Sequence, residues 1–334
     1  MGLTPDEAMR AALAASVAVH GTTSPNPPVG AVVLDAAGEI VGTGATAPPG
    51  GPHAEVLALR EAGDRARGGT AVVTLEPCAH HGRTPPCTQA LVDAGIARVH
   101  AAVADPNPLA AGGSDLLRAA GVEVVVGTLG AEVAAGPLRG WLHAVRTGRP
   151  HVTWKFAATL DGRSAAADGT SRWITGEAAR AEVHEFRAHV DAVVVGTGTA
   201  RADDPALTAR YPDGTDRERQ PLRVVVGHGE VRAGSRLDAP DVLHLRTHSP
   251  DDVLKELTDR GVVDVLLEGG PRLAGAFLAA GRVDRVLAYV APALLGSGPA
   301  ALGDAGVGTI ADVLRLQVET VRIVGGDVLI DGRP

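Results

Sequence analysis

Apolar positions in the first half of the chain follow two alternating periods. Residues 6–20 carry them at the spacing of about three to four residues that is typical of an amphipathic helix, and Thr4 followed by Pro5 supplies a helix start. Short apolar runs at 29–35 and 39–45 flank a glycine-containing turn. They predict two strands joined as a hairpin.

The same alternation continues to about residue 128. The predicted helices are 53–63, 88–95 and 114–121, and the predicted strands are 70–76, 98–104 and 122–128. Helices that alternate with strands predict an α/β fold, in which helices cover the faces of a sheet.

The pattern breaks at Gly148 and Pro150, and a fresh apolar run follows. We therefore expect two domains, 1–147 and 150–334. In the second domain, the predicted strands are 191–198, 222–227, 263–270 and 285–292, and the predicted helices are 177–189 and 271–281.

Composition narrows the class of protein. Hydrophobic residues make up 45% of the 334 residues but aromatic ones only 2%, so the core must consist mostly of Ala, Val and Leu. The net charge is −8 with no basic run, which argues against nucleic-acid binding, including a nucleic-acid-editing deaminase that needs a basic channel. There is no basic leader and no apolar run of about 18 residues, so we expect a cytoplasmic protein without a membrane span.

The only two cysteines, Cys78 and Cys87, lie in LEPCAHHGRTPPC. A disulfide is improbable in the reducing cytosol. A zinc deaminase carries H-x-E followed by P-C-x-x-C, and His53-Ala54-Glu55 with Pro77-Cys78 matches it except that eight residues, not two, separate the cysteines.

The spacing still suits one metal ion. His53 and Cys87 would each lie at the start of a helix, and Cys78 would follow a strand. A helix start favours the thiolate form of a cysteine such as Cys87. Three ligands leave a fourth position for water, and Glu55 would shuttle protons. A structural zinc site closed by His80 or His81, or an ordinary surface histidine, is the alternative.

Several motifs together resemble one known family. TSPNPPVGAVVLD, PHAEVLALREAG and TLEPCAHHGRTPPC in the first half, and TGRPHVTWKFAATLDGR, VGTGTARADDPALTAR and EGGPRLAGAFL in the second, are similar to the bifunctional deaminase–reductases of riboflavin biosynthesis. The resemblance implies an N-terminal three-layer domain like cytidine deaminase and a C-terminal domain like dihydrofolate reductase. It implies one Zn²⁺ per chain, NADPH and a homo-oligomer, a dimer or tetramer.

The resemblance also implies the chemistry. The first domain would remove the 2-amino group of a 2,5-diamino-6-ribosylamino-4(3H)-pyrimidinone 5′-phosphate by attack of zinc hydroxide. The second would reduce the ribosyl group of the resulting 5-amino-6-(5-phosphoribosylamino)uracil to ribityl.

The resemblance assigns residues to the deaminase site. Its substrate contacts would be Asn26, His80, Arg83, Asp105 and Asn107, with Arg83 on the phosphate. Many family members have a phosphate-binding histidine where this chain has Thr46. Phosphate binding would then be weaker or depend on Arg83.

The resemblance likewise assigns the reductase site. Substrate contacts would be Ser171, Arg187, Leu207, Arg210 and Glu268. NADPH contacts would be Ala157, Trp173, Thr199, Asp203, Gly270, Pro271, Arg272, Leu273, Ala274, Gly275 and Ala276.

A doubly wound dehydrogenase is disfavoured, because no G-x-G-x-x-G follows a strand. A helix start near Gly270 suits a pyrophosphate. Asp203 and Glu268 are candidate catalytic carboxylates that would stabilise positive charge during hydride transfer. Lys155, one of two lysines, reads as an ordinary ion pair. The alternative is a second domain that only binds the substrate or dimerises. Measuring the affinity for NADPH distinguishes it from a reductase.

Overall fold

The computed structural model describes residues 2–80 and 86–334, and the chain divides into two compact units, Met1–Gly148 and Arg149–Pro334. The division follows a helix that ends at Gly148, whose φ of 74° is left-handed and therefore suits glycine. No helix in the described ranges is both long and apolar enough to cross a membrane.

The first unit forms a five-stranded sheet in the order β2-β1-β3-β4-β5. Its strands are β1 Gly30–Leu34, β2 Ile40–Ala45, β3 Thr70–Leu75, β4 Arg98–Val103 and β5 Glu123–Val126. Its helices are α1 Pro5–Ala18, α2 Ala54–Ala62, α3 Cys87–Asp93, α4 Gly113–Ala119, α5 Gly130–Ala135 and α6 Arg139–Thr147. Strands β1 and β2 form the predicted hairpin, and β3, β4 and β5 are parallel.

Two helices cover opposite faces of this sheet. A Cβ added at Gly30 would overlap the carbonyl oxygen of Ala12 in α1, whereas a Cβ at Gly42 or Gly44 would overlap carbonyl oxygens of α2. Gly44 pairs with Ala31, the neighbour of Gly30, and neighbouring residues of a strand face opposite sides. The three-layer prediction is therefore confirmed.

The second unit forms an eight-stranded sheet in the order β12-β13-β11-β6-β10-β7-β8-β9. Its strands are β6 His151–Thr159, β7 Ala192–Gly196, β8 Leu222–Val226, β9 Val242–Leu245, β10 Asp264–Leu267, β11 Arg285–Ala291, β12 Gln317–Val324 and β13 Asp327–Arg333. Its helices are α7 Glu177–His189, α8 Thr197–Asp203, α9 Pro250–Asp259 and α10 Pro271–Ala279. The strands from β11 to β9 are parallel.

The parallel strands are buried on both faces, which explains their continuous apolar runs. Because neighbouring parallel strands end at the same edge, the residues that follow β7 and β10 lie together there. The elements that the pattern did not predict include α8, β9 and α9 and the C-terminal hairpin. Strand β12 is exposed along nearly its whole length, and a register shift between Val318 and Thr320 interrupts the alternation of apolar and polar residues that would predict a strand.

Candidate active sites

The three predicted metal ligands meet at one point of the first unit. The side-chain ligand atoms of His53, Cys78 and Cys87 all lie within 4.8 Å of one another. His53 Nδ1 is 3.6 Å from Cys78 Sγ and 3.3 Å from Cys87 Sγ. The two cysteines are free thiols and not a disulfide.

The backbone brings these ligands together as the sequence suggested. His53 is the N-cap of α2, Cys87 is the first residue of α3, and Cys78 follows the end of β3. Zinc bonds of about 2.3 Å to sulfur and about 2.0 Å to nitrogen place tetrahedral ligand atoms about 3.5–3.8 Å apart. The observed separations are close to those values, so the donor set fits zinc.

The electrostatics of the cluster favour an anion. A hydrogen bond from the Cys87 thiol lowers the pKa of Cys78 to about 4, and the contact with Cys78 raises the pKa of His53. The helix start does not by itself make Cys87 acidic, because the adjacent Cys78 thiolate and burial raise the pKa of Cys87. Zinc binding would release that remaining proton, since the metal ligand is the thiolate.

Glu55 lies in the first turn of α2 and is 5% exposed. Burial raises the pKa of its carboxyl group, which also contacts the Cys87 thiol. A carboxyl group with a raised pKa beside the metal ligands can take up and return protons near neutral pH.

Asp105 and Asn107, in the segment DPNP at residues 105–108, lie near this cluster. Burial raises the pKa of Asp105, and Cys78 and His80 are close enough to perturb it. Asp105 accepts a hydrogen bond from the backbone N–H of Asn107, at 2.8 Å. Glu76, which the sequence analysis did not single out, accepts hydrogen bonds from the backbone N–H groups of Asp105 and Ser114, at 3.0 and 2.8 Å.

The other predicted deaminase residues differ in their exposure, and one of them is not described by the structure. Asn26 is half-buried, and its backbone closes a turn with Thr23. His80 is exposed and is not among the clustered ligands. Arg83, and also His81, lie outside the described residues.

Thr46 is buried and already hydrogen-bonded. Its Oγ1 lies 3.1 Å from the backbone nitrogen of Val29, from which it accepts a hydrogen bond, and 3.4 Å from the Val29 carbonyl oxygen. The hydroxyl therefore ties β2 to the start of β1.

The second unit contains a cavity of about 660 Å³. The predicted reductase residues in its wall are Ala157, Ser171, Trp173, Arg187, Thr199, Asp203, Leu207, Arg210 and Glu268. Residues 270–276 are not in this wall. Ser171 Oγ is 3.5 Å from Asp203 Oδ1, and the Trp173 ring is 68% exposed with Arg180 4.5 Å from its centroid.

Arg187 and Glu268 form a bidentate ion pair in the cavity wall. The Nε–Oε1 and Nη2–Oε2 distances are 2.6 and 2.8 Å, and both side chains are largely buried. Although burial opposes it, Arg187 holds the pKa of Glu268 below its usual range. The predicted phosphate clamp, Arg187, and the predicted charge stabiliser, Glu268, therefore already neutralise each other.

The start of α10 lies against the cavity residue Thr199. Gly270 is the N-cap of this helix, and a Cβ added there would lie 2.8 Å from Thr199 Oγ1. Glycine thus leaves room for close approach to a nine-residue helix whose first N–H groups suit an anion. This arrangement fits the pyrophosphate of a dinucleotide.

Lys155, for which an ordinary ion pair is the simplest interpretation of the sequence, lies in the cavity wall. Its Nζ is 5.7 Å from the ring centroid of Tyr289. Burial lowers the pKa of Lys155, although Glu268 acts in the opposite direction. The signal in the sequence was the rarity of lysine, which cannot reveal a role.

Comparison with known proteins identifies both units. Residues 4–103 match the family described as the cytidine and deoxycytidylate deaminase zinc-binding region, and residues 150–330 match the RibD C-terminal domain. The chain is 57% identical to the riboflavin biosynthesis protein RibD of Mycobacterium tuberculosis, over 97% of this chain and 96% of that protein. It is 40% identical to RibD of Escherichia coli K12, over 92% and 93%.

Solved structures give the same result. RibD of Acinetobacter baumannii, form 1, superimposes with a TM-score of 0.89 at 39% identity, covering 99% of this chain and 98% of that one. The deaminase/reductase of Thermotoga maritima gives 0.90 at 34% identity, with the same coverage. The deaminase and reductase predictions are confirmed, as are zinc and NADPH as cofactors. The chain therefore belongs to the RibD family of bifunctional deaminase–reductases of riboflavin biosynthesis.

Proposed function

We propose that the chain deaminates diaminohydroxyphosphoribosylaminopyrimidine in residues 1–147 and reduces 5-amino-6-(5-phosphoribosylamino)uracil in residues 150–334. These are the activities in the name of the Thermotoga maritima protein. The observation that carries the proposal is the His53–Cys78–Cys87 cluster beside a buried carboxyl group, in a chain whose other unit holds a cationic cavity.

In the deamination, Glu55 takes one proton from the attacking water and passes it to a ring nitrogen. It then takes the second proton from the new hydroxyl on the attacked carbon and passes it to the amine, which leaves as ammonia. Bound zinc supplies the Lewis acid that lowers the pKa of that water. Asn26, His80, Asp105 and Asn107 contact the substrate. Arg83 carries the phosphate, because Thr46 is engaged with Val29.

In the reduction, NADPH supplies the hydride, and the protein positions the two reactants. Ala157, Trp173, Thr199, Asp203 and the helix start at 270–276 hold the cofactor. The substrate is held by Ser171, Arg187, Leu207, Arg210 and Glu268. Asp203 and the Arg187–Glu268 pair set the charge that faces the sugar, and Lys155 supplies a hydrogen-bond donor.

Coupled turnover on one preparation tests the proposal. We expect ammonia release, then NADPH oxidation, and zinc near one per chain. Failure of the deaminated substrate to oxidise NADPH would contradict the second half of the proposal. We also propose that the protein acts in the cytoplasm, where thiol ligands stay reduced.

Cys87→Ser should lower zinc content well below one per chain, because a serine hydroxyl is a poor substitute for a thiolate that contacts His53 at 3.3 Å. Metal analysis of the purified protein measures this. His80→Ala is the control and should keep its zinc. Loss of zinc from that variant would indicate a fourth protein ligand and a closed structural site.

We further propose that the chain is a homo-oligomer joined through β12. Strand β12 is at the edge of its sheet, and a register shift between Val318 and Thr320 places Val318, Val321 and Ile323 opposite Gly332, Ile330 and Val328. These three residues therefore share one face, and they are 53%, 60% and 69% exposed. An exposed apolar face of this kind is typical of an interface.

A second copy of the chain fits this edge. In an antiparallel two-fold pairing of β12 with itself, residues directly opposite each other lie on the same face, so Val321 can lie opposite its own copy. The apolar faces of the two strands then become continuous, which makes the interface self-complementary.

Ile323→Asp should reduce the molar mass in solution to that of one chain, measured by light scattering, because it buries a charge at the interface. Leu116→Asp, at a residue 52% exposed in the other unit, should leave the mass unchanged. A wild-type protein that is monomeric at micromolar concentration would contradict the proposal.

A further inference from the structure

His184 lies in α7, half-buried in the cavity wall, and no assigned role in the reduction uses it. Its Nδ1 is 3.0 Å from the carbonyl oxygen of Thr208. A carbonyl only accepts hydrogen bonds, so Nδ1 carries a proton, and in the neutral ring Nε2 is an acceptor. Within residues 2–80 and 86–334, no protein group hydrogen-bonds to Nε2.

Thr208 fixes the orientation of this ring. Its carbonyl oxygen also accepts a hydrogen bond from Arg187 Nη1 at 3.2 Å, and its hydroxyl accepts one from Arg210 Nε at 3.1 Å. The preceding residue, Leu207, is buried and has a φ of 57°, which is unfavourable for a side chain of this size. Such backbone persists where the surroundings over-determine it, and it is found preferentially at ligand sites.

Cationic side chains outnumber carboxylates in the cavity wall. Its cationic side chains are Lys155, Arg172, Arg180, Arg187, Arg210 and Arg236. Of its two carboxylates, Glu268 is already paired with Arg187, and Asp203 is approached by Ser171. Burial, with Arg187, lowers the pKa of His184, so the ring stays neutral at neutral pH and keeps its Nε2 lone pair.

The proposed reductase substrate needs such an acceptor. Its phosphate and carbonyl oxygens accept hydrogen bonds and suit the arginines. Its hydroxyls both donate and accept, so they can also adapt to a cationic wall. The N–H groups of the aminopyrimidine only donate, and the cationic side chains of the wall cannot accept from them.

We propose that His184 Nε2 accepts a hydrogen bond from an N–H group of the aminopyrimidine and so selects substrates that carry a donor at that position. The inference rests on the proposed reduction of an aminouracil. It adds a substrate-binding residue to the five that the resemblance implies.

A purely structural role is the competing explanation, in which His184 only holds the Thr208 carbonyl through Nδ1. Two variants separate these roles, because the amide of asparagine reaches the position of Nδ1 and the amide of glutamine reaches that of Nε2. His184→Asn can keep the bond to Thr208 but loses the acceptor in the cavity. His184→Gln keeps an acceptor in the cavity but loses the bond to Thr208.

We expect His184→Asn to lower kcat/KM for the deaminated pyrimidine by about 10- to 100-fold, mainly through KM, since a donor of the substrate is left unpaired. His184→Gln should stay within about threefold of the wild type, since its amide restores the acceptor. The affinity for NADPH, measured by fluorescence titration without pyrimidine, should be unchanged in both variants. Ammonia release by the other unit serves as the control for an intact preparation.

The proposal would be overturned if kcat/KM for the deaminated pyrimidine fell more in His184→Gln than in His184→Asn, fell equally in both, or fell in neither. Weakened NADPH binding with an unchanged KM for the pyrimidine would overturn it too, because His184 would then contact the cofactor. A wild-type enzyme that fails to oxidise NADPH with the deaminated pyrimidine would instead contradict the proposed reduction itself.

Discussion

Glu55→Gln should lower the rate of deamination by about 10²- to 10⁴-fold, the usual contribution of a positioned general acid–base group. The amide has nearly the shape of the carboxyl group but cannot exchange protons. Because burial raises the pKa of Glu55, its carboxyl group is suited to both halves of the proton transfer, and glutamine is suited to neither. Ammonia release from the diaminopyrimidine measures the effect.

Two further measurements separate this loss from a damaged site. Zinc content should remain near one per chain, since His53, Cys78 and Cys87 are untouched, and NADPH oxidation with the deaminated substrate should remain at the wild-type rate. Glu61→Gln makes the same change on the exposed side of the same helix and should leave all three values unchanged. Retained ammonia release in Glu55→Gln would show that another group transfers the proton.

The deaminase site could be predicted from sequence because its chemistry is encoded locally. His53 and Glu55 are two residues apart at the start of one helix, and Pro86, directly before Cys87, is the N-cap of another. The distance between the cysteines along the chain does not matter, because each is placed by the end of its own element. Glu76 was missed because its partners, Asp105 and Ser114, are about 30 to 40 residues away in sequence.

The reductase site was harder to predict because its groups meet only through tertiary packing. Arg187 on α7 and Glu268 after β10 are 81 residues apart, and no spacing along the chain indicates that they pair. The ion pair also limits the interactions that Arg187 and Glu268 can make with a ligand, because removing one partner of a buried ion pair costs about 3–5 kcal/mol. The positions of these residues were supplied by family resemblance, but their charge state required the structure.

The pairing of Arg187 with Glu268 has a direct consequence for the charge of Lys155. Arg187 already neutralises Glu268, and no carboxylate in residues 2–80 and 86–334 forms an ion pair with the ammonium group of Lys155 in the cavity wall. Lys155→Met keeps the length of the side chain but removes the charge and the donor. We expect kcat/KM of the reduction to fall by about 10²- to 10³-fold, the usual effect of deleting one preorganised donor.

The pH profile gives a second measure of the same group. The ammonium form donates, and it is lost as the pH rises through the pKa of Lys155, which burial places below the usual lysine value of about 10.4. Wild-type reduction should therefore decline on the alkaline side before that value. Lys155→Met should lack this decline, while Arg187, Glu268 and Tyr289, the charged or titratable neighbours, remain present in both.

The other lysine supplies a matched control. Lys255 is exposed and paired with Asp259 on α9, so Lys255→Met should leave reduction and its pH profile unchanged. The free energy of unfolding of Lys155→Met should not decrease, because the variant removes a buried charge and leaves the Arg187–Glu268 pair closed. A loss of stability that parallels the loss of activity would mean that Lys155 supports the fold, and full activity would remove it from the site.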